Sequence, residues 1–271
     1  MLEAGCGTGN FSLGFLQNGI GHLTMIDASV GMLERAKQKV KGYVNEVREL
    51  KQHRLPTMPF EDETFDCVTL VQVLHHLDTF HLKESNNHTN ESDMNGKDDP
   101  EANCPHAPSN NYRAKYPNLV RCIQEAYRVL KPNGVLMIDT SFEHNIDAHW
   151  ISLAPKAANI FKQAFMPGND LVELLQTENY KEVFFTSLPS NSCTRTGLYD
   201  NPELIFDENW RKSLSEWSFI ERTGELTGVL DLVKKKKDMG QLEQFAWDMN
   251  KRFRLVGETT TVFAQKPAES M

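Results

Sequence analysis

The 271-residue sequence has no run of 18 or more apolar residues, and its first residues lack the charged segment, apolar stretch and cleavage site of a secretory leader. The expectation is a cytoplasmic chain with no membrane partner. Paired cysteines are missing too. The five, at 6, 67, 104, 122 and 193, are odd in number, far apart and never in C-x-x-C spacing. That pattern argues against a disulfide framework and a zinc site, so no metal is expected. Positive charge is scarce: 29 Lys and Arg face 37 Asp and Glu, a formal net charge of −8. A phosphate backbone asks for a basic face, so no nucleic-acid partner is expected. The run Lys234 to Lys237 closes an apparent helix, where cations meet the negative end of the macrodipole. Large apolar residues nearly vanish from Glu84 to Ser109, a stretch rich in Asn, Asp, Glu, Ser and Pro. Such a stretch cannot offset its ordering entropy, so residues 83–115 read as a disordered insertion, with a substrate lid as the sharper alternative.

What remains is 39% hydrophobic and 9% aromatic, enough for a large α/β core. Phe11 to Asn18 reads as a helix, His22 to Asp27 as a strand, and Ser29 as the cap of a helix through about Lys41 with Met32, Leu33, Ala36 and Val40 on its apolar face. Further strands are expected at Tyr43 to Leu50, Asp66 to Gln72 and Gly134 to Asp139, with a helix at Asn118 to Leu130. Strands alternating with helices imply a doubly wound, mostly parallel sheet whose ligands sit beyond the carboxyl ends of its strands.

The chain opens MLEAGCGTGN. Glycines at 5, 7 and 9 permit positive φ and a close approach by a ligand, although a tight turn with no ligand would use them equally well. The spacing is G-x-G-x-G, with Asn10 where the dinucleotide fingerprint has its last glycine, which disfavours a nicotinamide-dependent oxidoreductase. Asp27 closes the next strand, where a carboxylate can accept two hydrogen bonds from vicinal ribose hydroxyls or start a helix-entry turn.

Five segments in order over residues 2–140 resemble the motifs of class I S-adenosylmethionine-dependent methyltransferases, of the type 11-like kind. They are the glycine loop from Leu2 to Gly9; Asp27 with the helix to Ala36; Met58-Pro59-Phe60 leading to Phe65-Asp66; Val73-Leu74-His75-His76-Leu77; and Arg128-Val129-Leu130-Lys131-Pro132-Asn133-Gly134. The resemblance implies S-adenosyl-L-methionine as cofactor and a Rossmann-like α/β fold. The fold has seven strands, mostly parallel, with an antiparallel last strand and a helical insertion before it. It further implies that Gly5, Cys6, Gly7 and Gly9 wrap the methionine moiety, Glu3 receives its ammonium group, and Asp27 and Ala28 meet the ribose. Gln72 and Val73 would border the methyl donor. The family often sets an Asp against the adenine amino group where this chain has Arg54, which leaves the backbone N–H of Leu55 for the ring. His75 and His76 are candidate bases or simply caps of the turn after the fourth strand. Family members have a longer first strand and a segment before it. The chain is thus N-terminally short by that measure, and a catalytically inactive binding or regulatory relative is the alternative to an enzyme.

Residues 1–147 are read as the cofactor-binding core and 148–271 as completion of the sheet, with a helical insertion at about 190–257. Residues 148–165 look helical, and Glu182 to Ser187 and Thr259 to Ala264 read as strands. His149, Trp150, Trp210, Arg211 and Trp217 are the candidate acceptor contacts, as an aromatic cap suited to a small molecule such as a cationic amine; packed helix interiors would use the same tryptophans. The methyl acceptor and oligomeric state are not legible.

Overall fold

Leu2, Glu3 and Ala4 are wholly buried and form β1 (Leu2–Ala4), which pairs in parallel with β2 (Leu23–Asp27) on one side and β4 (Phe65–Val71) on the other. The computed structural model describes residues 1–78, 112–187, 201–212 and 214–268. Beyond β2 lies β3 (Val47–Gln52), and beyond β4 lie β5 (Leu130–Thr140), β7 (Thr260–Gln265) and β6 (Lys181–Ser187), giving the order β3-β2-β1-β4-β5-β7-β6. β7 runs antiparallel to both neighbours. The seven-stranded, mostly parallel sheet expected from the sequence is therefore present, with its switch of strand order between β1 and β4.

One face is covered by α1 (Asn10–Gln17) and α2 (Val30–Lys39) over Leu16, Leu23, Met25 and Ala36. The other is covered by α3 (Tyr112–Lys115), α4 (Pro117–Val129) and α7 (Gly168–Thr177). In α4 the buried residues Leu119, Ile123 and Ala126 recur at three- and four-residue spacing, the apolar stripe that packs a helix on a sheet. Ser29 caps α2 as expected, accepting from the Met32 N–H at 3.3 Å. On its apolar face Ala36 and Val40 are buried, but Met32 is 38% exposed, because the first turn of α2 follows the end of β2 and has little sheet beneath it.

Four boundaries differ from the sequence reading. β3 starts at Val47, since Lys41–Tyr43 winds a 3-10 turn first. β5 starts at Leu130, with a register shift against β4 that absorbs Lys131 to Asn133 as a bulge. The helix expected over 148–165 is three pieces: α5 (Glu143–Ala148), a 3-10 turn Trp150–Leu153, and α6 (Pro155–Lys162). Pro155 causes the break, because it drives Ala154 out of the helical region and then serves as the first residue of α6. Of the insertion read as disordered at 83–115, residues 112–115 form α3 with Tyr112 buried; residues 83–111 lie outside the described residues.

Between β6 and β7 the chain forms a 3-10 turn Pro202–Phe206 and α8 (Glu208–Lys212), α9 (Ser215–Arg222), α10 (Leu226–Asp238) and α11 (Leu242–Val256). These pack with α5 and α6 around an apolar core of their own, in which Trp150, Trp217, Ile205 and Phe253 are buried. Lys235 to Lys237 fall in the last turn of α10, as the helix-end reading expects. Among the described residues no helix is long and apolar enough to cross a membrane.

Trp217 is 3% exposed in this second core. Replacing it with Ala should destabilise the protein by about 3–5 kcal/mol, the range for emptying a buried large aromatic site, measurable as a lowered urea midpoint.

Candidate active site

The loop after β1 is held from behind by backbone bonds: the N–H groups of Gly5 and Cys6 both donate to the Ile26 carbonyl, at 2.8 and 3.0 Å. Gly5, Gly7 and Gly9 take φ of 84°, 54° and 76°, a region open to glycine at no steric cost. A Cβ on Gly5 would stand 2.5 Å from Cγ2 of Val73, so only glycine lets this loop touch the turn after β4. A Cβ on Gly9 would press on Ala36 at 3.1 Å, where α1 crosses α2, while Gly7 faces open space. Asp27 ties the loop to the next helix: one carboxylate oxygen accepts the Gly7 N–H at 2.9 Å and the other the Ser29 N–H at 2.8 Å. Each oxygen retains a second acceptor direction.

Beyond these strand ends lies a cavity of about 480 Å³ lined by Gly5, Asp27, Ala28, Leu55, Val73 and His76. Five of the expected cofactor residues thus meet in one place. Arg54 also lines it, and the Leu55–Pro56 peptide bond at its edge is cis. Glu3, Cys6, Gly9 and Gln72 are placed differently. Glu3 is 1% exposed and accepts a hydrogen bond from the Ser12 hydroxyl at 2.5 Å, fastening β1 to α1 behind the loop. Burial raises its carboxyl to about 7, against the opposing pull of the Ser12 hydrogen bond and with a smaller push from Asp27. Burial also pushes the Cys6 thiol up, and Cys6 packs into the core under α1 and α2. Gln72 turns into the left-handed region at φ 51° and is clamped by Asp139: its N–H donates to the Asp139 carbonyl at 2.8 Å and its side-chain amide to the carboxylate at 2.9 Å. The other Asp139 oxygen accepts from the hydroxyls of Thr259 and Thr261, both at 2.9 Å. Sequence reasoning gave Asp139 no role; its signal was an acid closing β5 as Asp27 closes β2.

The turn Leu74–His76 follows β4 at the edge of this cavity. His76 lines it, and burial lowers its pKa below the usual imidazole value. His75 stacks on Phe165, ring centroids 4.7 Å apart, and Phe165 lines a second cavity of about 710 Å³ beyond β5 and β7. Phe142, Met166, Phe185 and Thr260 share that lining.

The aromatic residues expected around an acceptor lie elsewhere. Trp150 and Trp217 are buried in the cap's core, Trp210 packs edge-on against Trp217 at 6.1 Å, and the Arg211 guanidinium donates to the Ile205 carbonyl at 2.6 Å. His149 stands 3.8 Å from the buried Glu216 carboxylate within the same layer. The physical reason is that four short amphipathic helices need a common core, and the largest apolar side chains supply it. A larger cavity of about 1070 Å³ lies on the cap's outer surface by Trp247 and Arg254, and its lining includes no residue from the strand ends. Among the described residues no three His, Cys, Asp or Glu are grouped to hold a metal ion.

Residues 1–91 match the family described as "Methyltransferase domain". The fold is similar to that of a protein from Anabaena variabilis assigned as a methyltransferase of an antibiotic biosynthesis pathway, at TM-score 0.64 and 15% identity over 97% of this chain and 90% of that one. A Haloferax volcanii protein assigned as a methyltransferase, solved with the Trm112 methyltransferase activator, aligns at TM-score 0.52 and 14% identity over 98% and 81% of the two chains. One assigned likewise from Bacillus halodurans aligns at TM-score 0.50 and 16% identity over 98% and 92%. No curated protein matches the sequence. Residues 1–91 thus match a methyltransferase domain, and the chain shares the fold of these structures.

Glu3 makes stability depend on pH. Its carboxyl titrates near 7 when folded and near 4.5 when unfolded, so the folded state holds the extra proton in between. The stabilisation is complete below pH 4.5 and lost as pH rises through 7, a change on the order of 3 kcal/mol. Urea unfolding from pH 5 to 8 should show this decline, and Glu3→Gln should flatten it.

Proposed function

We propose that the protein is an S-adenosylmethionine-dependent methyltransferase acting on a small-molecule acceptor. The observation that carries the reading is the pair of cavities at the carboxyl ends of the strands, the first lined by His76 and the second by Phe165, on which His75 stacks. The residues of the first fit the cofactor. Gly5 lines it with no room for a Cβ, the Asp27 carboxylate keeps acceptor capacity for the ribose hydroxyls, and Leu55 offers its backbone to the adenine. When bound, the cofactor supplies a methyl group on a sulfonium, whose in-line transfer asks for alignment and exclusion of water more than for a catalytic triad. His76, kept neutral near pH 7 by its lowered pKa, is suited to accept a proton from a nucleophile that arrives protonated. Buried free thiols at Cys6 and Cys122 suit a reducing, cytoplasmic setting.

Arg54 favours a second reading, a non-catalytic binding or regulatory relative, because it brings a guanidinium to the cavity where the family often has an acid. Calorimetric titration with S-adenosylmethionine and S-adenosylhomocysteine separates the two. Micromolar binding is expected, weakened by about tenfold or more in Asp27→Ala and in Gly5→Ala. A folded chain that binds neither compound would leave the second reading. With an acceptor in hand, His76→Gln should lower kcat by a larger factor than it raises the cofactor Kd, and wild-type turnover should fall only as pH drops below about 6.5.

A further inference from the structure

The groove of about 1070 Å³ on the cap's outer surface is lined by α11, the end of α10 and the Pro202–Phe206 turn. Its long wall is α11, which has two faces. Leu242, Ala246, Met249 and Phe253 recur at three- and four-residue spacing and are buried in the cap's core. Glu243, Trp247, Asn250, Lys251 and Arg254 recur at the same spacing along the groove, with Leu255 beside the last of them. This second stripe is open: Trp247 is 57% exposed and Leu255 77%. A single exposed apolar side chain is ordinary on any surface, whereas two on one groove, two helical turns apart with cations between them, make a patch that a partner can cover.

The charges of this stripe are sorted by position. Glu243 stands in the first turn of α11, and Lys251 and Arg254 stand toward its end. Among the described residues none of the three is in an ion pair: Lys251 lies over the Trp247 ring at 5.6 Å, and Arg254 donates from Nε to the Asn250 side chain at 3.0 Å, which occupies one of its five N–H groups. Glu203, across the groove, is matched by Lys237 at 3.0 Å. A stripe that begins with an acid and ends with cations complements itself when reversed. With a two-fold axis beside the midpoint between residues 248 and 249, an antiparallel second copy sets Arg254 of the partner subunit level with Glu243, and symmetry repeats the contact. The rise per residue separates the two pairs by about 17 Å along a straight helix, so both form together. The net charge of −8 opposes association of two copies, but α11 carries three cations against two acids and does not add to that opposition.

We propose that two copies of the chain associate through this groove as an isologous dimer, α11 lying antiparallel against α11, with the Glu243–Arg254 pairs fixing the register and Trp247 and Leu255 supplying the apolar contact. The groove's lining includes no residue from the strand ends, so the proposal stands apart from the methyltransferase reading.

Sedimentation equilibrium of the full chain tests it. Expected is a monomer–dimer equilibrium with a micromolar Kd, as suits a contact at the small end of the interface range. Glu243→Arg and Arg254→Glu should each weaken the dimer by about tenfold or more, because symmetry turns one substitution into two like-charge contacts. Mixed in equal amounts, the two variants regain both opposite-charge pairs, and their heterodimer should form with a Kd within about threefold of the wild-type value. Both positions are exposed on a helix surface, so the variants are expected to fold, and their circular dichroism spectra check this. Trp247→Ala should weaken the dimer by about fivefold or more. A wild-type chain that stays monomeric throughout the micromolar range, a dimer indifferent to either charge reversal, or folded variants that do not associate on mixing would overturn the proposal.

Discussion

The contact between Gly5 and Val73 organises the site. β1 and β4 are neighbours at the point where the strand order reverses, so the chain leaving each must turn away without filling the gap between them. Gly5 does so at φ 84°, with its hydrogen in the place where a methyl group would collide with Val73. The arrangement around the first cavity follows from that approach. The loop is brought within reach of Asp27, whose carboxylate then joins Gly7 to Ser29 and so sets the start of α2. The helix-entry and ribose readings of Asp27 are compatible, because two carboxylate oxygens offer about four acceptor directions and the backbone takes two.

The other half of the site depends on Asp139. Gln72 in the left-handed region costs about 1–3 kcal/mol by itself, and it would not persist without compensation. A hydrogen bond to a charged group contributes about 1.5–3 kcal/mol, and the Asp139 carboxylate receives Gln72, Thr259 and Thr261. The clamp outweighs the strain. Its consequence is positional: the end of β4, the end of β5 and the start of β7 become one unit, from which the turn carrying His75 and His76 leaves.

What the sequence made legible was what short-range chemistry decides. The order of strands and helices, the Ser29 cap, the glycine loop and the acid ending β2 each depend on a few neighbouring residues, and each is present as the pattern puts it. The bulge in β5 and the break at Pro155 displaced boundaries without changing the order of elements. The second cavity was illegible for a different reason. Tyr116, Phe142, Phe165, Phe185 and Thr260 come from separate elements and share no local pattern. The tryptophans drew attention by type, and type does not say whether a large aromatic faces a pocket or a core.

The separation of cores gives the cap its place in this arrangement. Its apolar cluster is distinct from the cluster under α4 and α7, so the cap packs as a layer while the second cavity is walled mainly by β6, β7 and the segments around α5 to α7. The two are joined at Asn145. Its side-chain oxygen accepts the Phe142 N–H at 2.8 Å and the Thr260 hydroxyl at 3.1 Å, and its amide nitrogen donates to the carbonyls of Val256 and Gly257 at 3.2 and 3.1 Å. A buried amide that meets four backbone and side-chain partners is held in one rotamer. Asn145 therefore ties the exit of the cap and the start of β7 to the Phe142 wall of the second cavity.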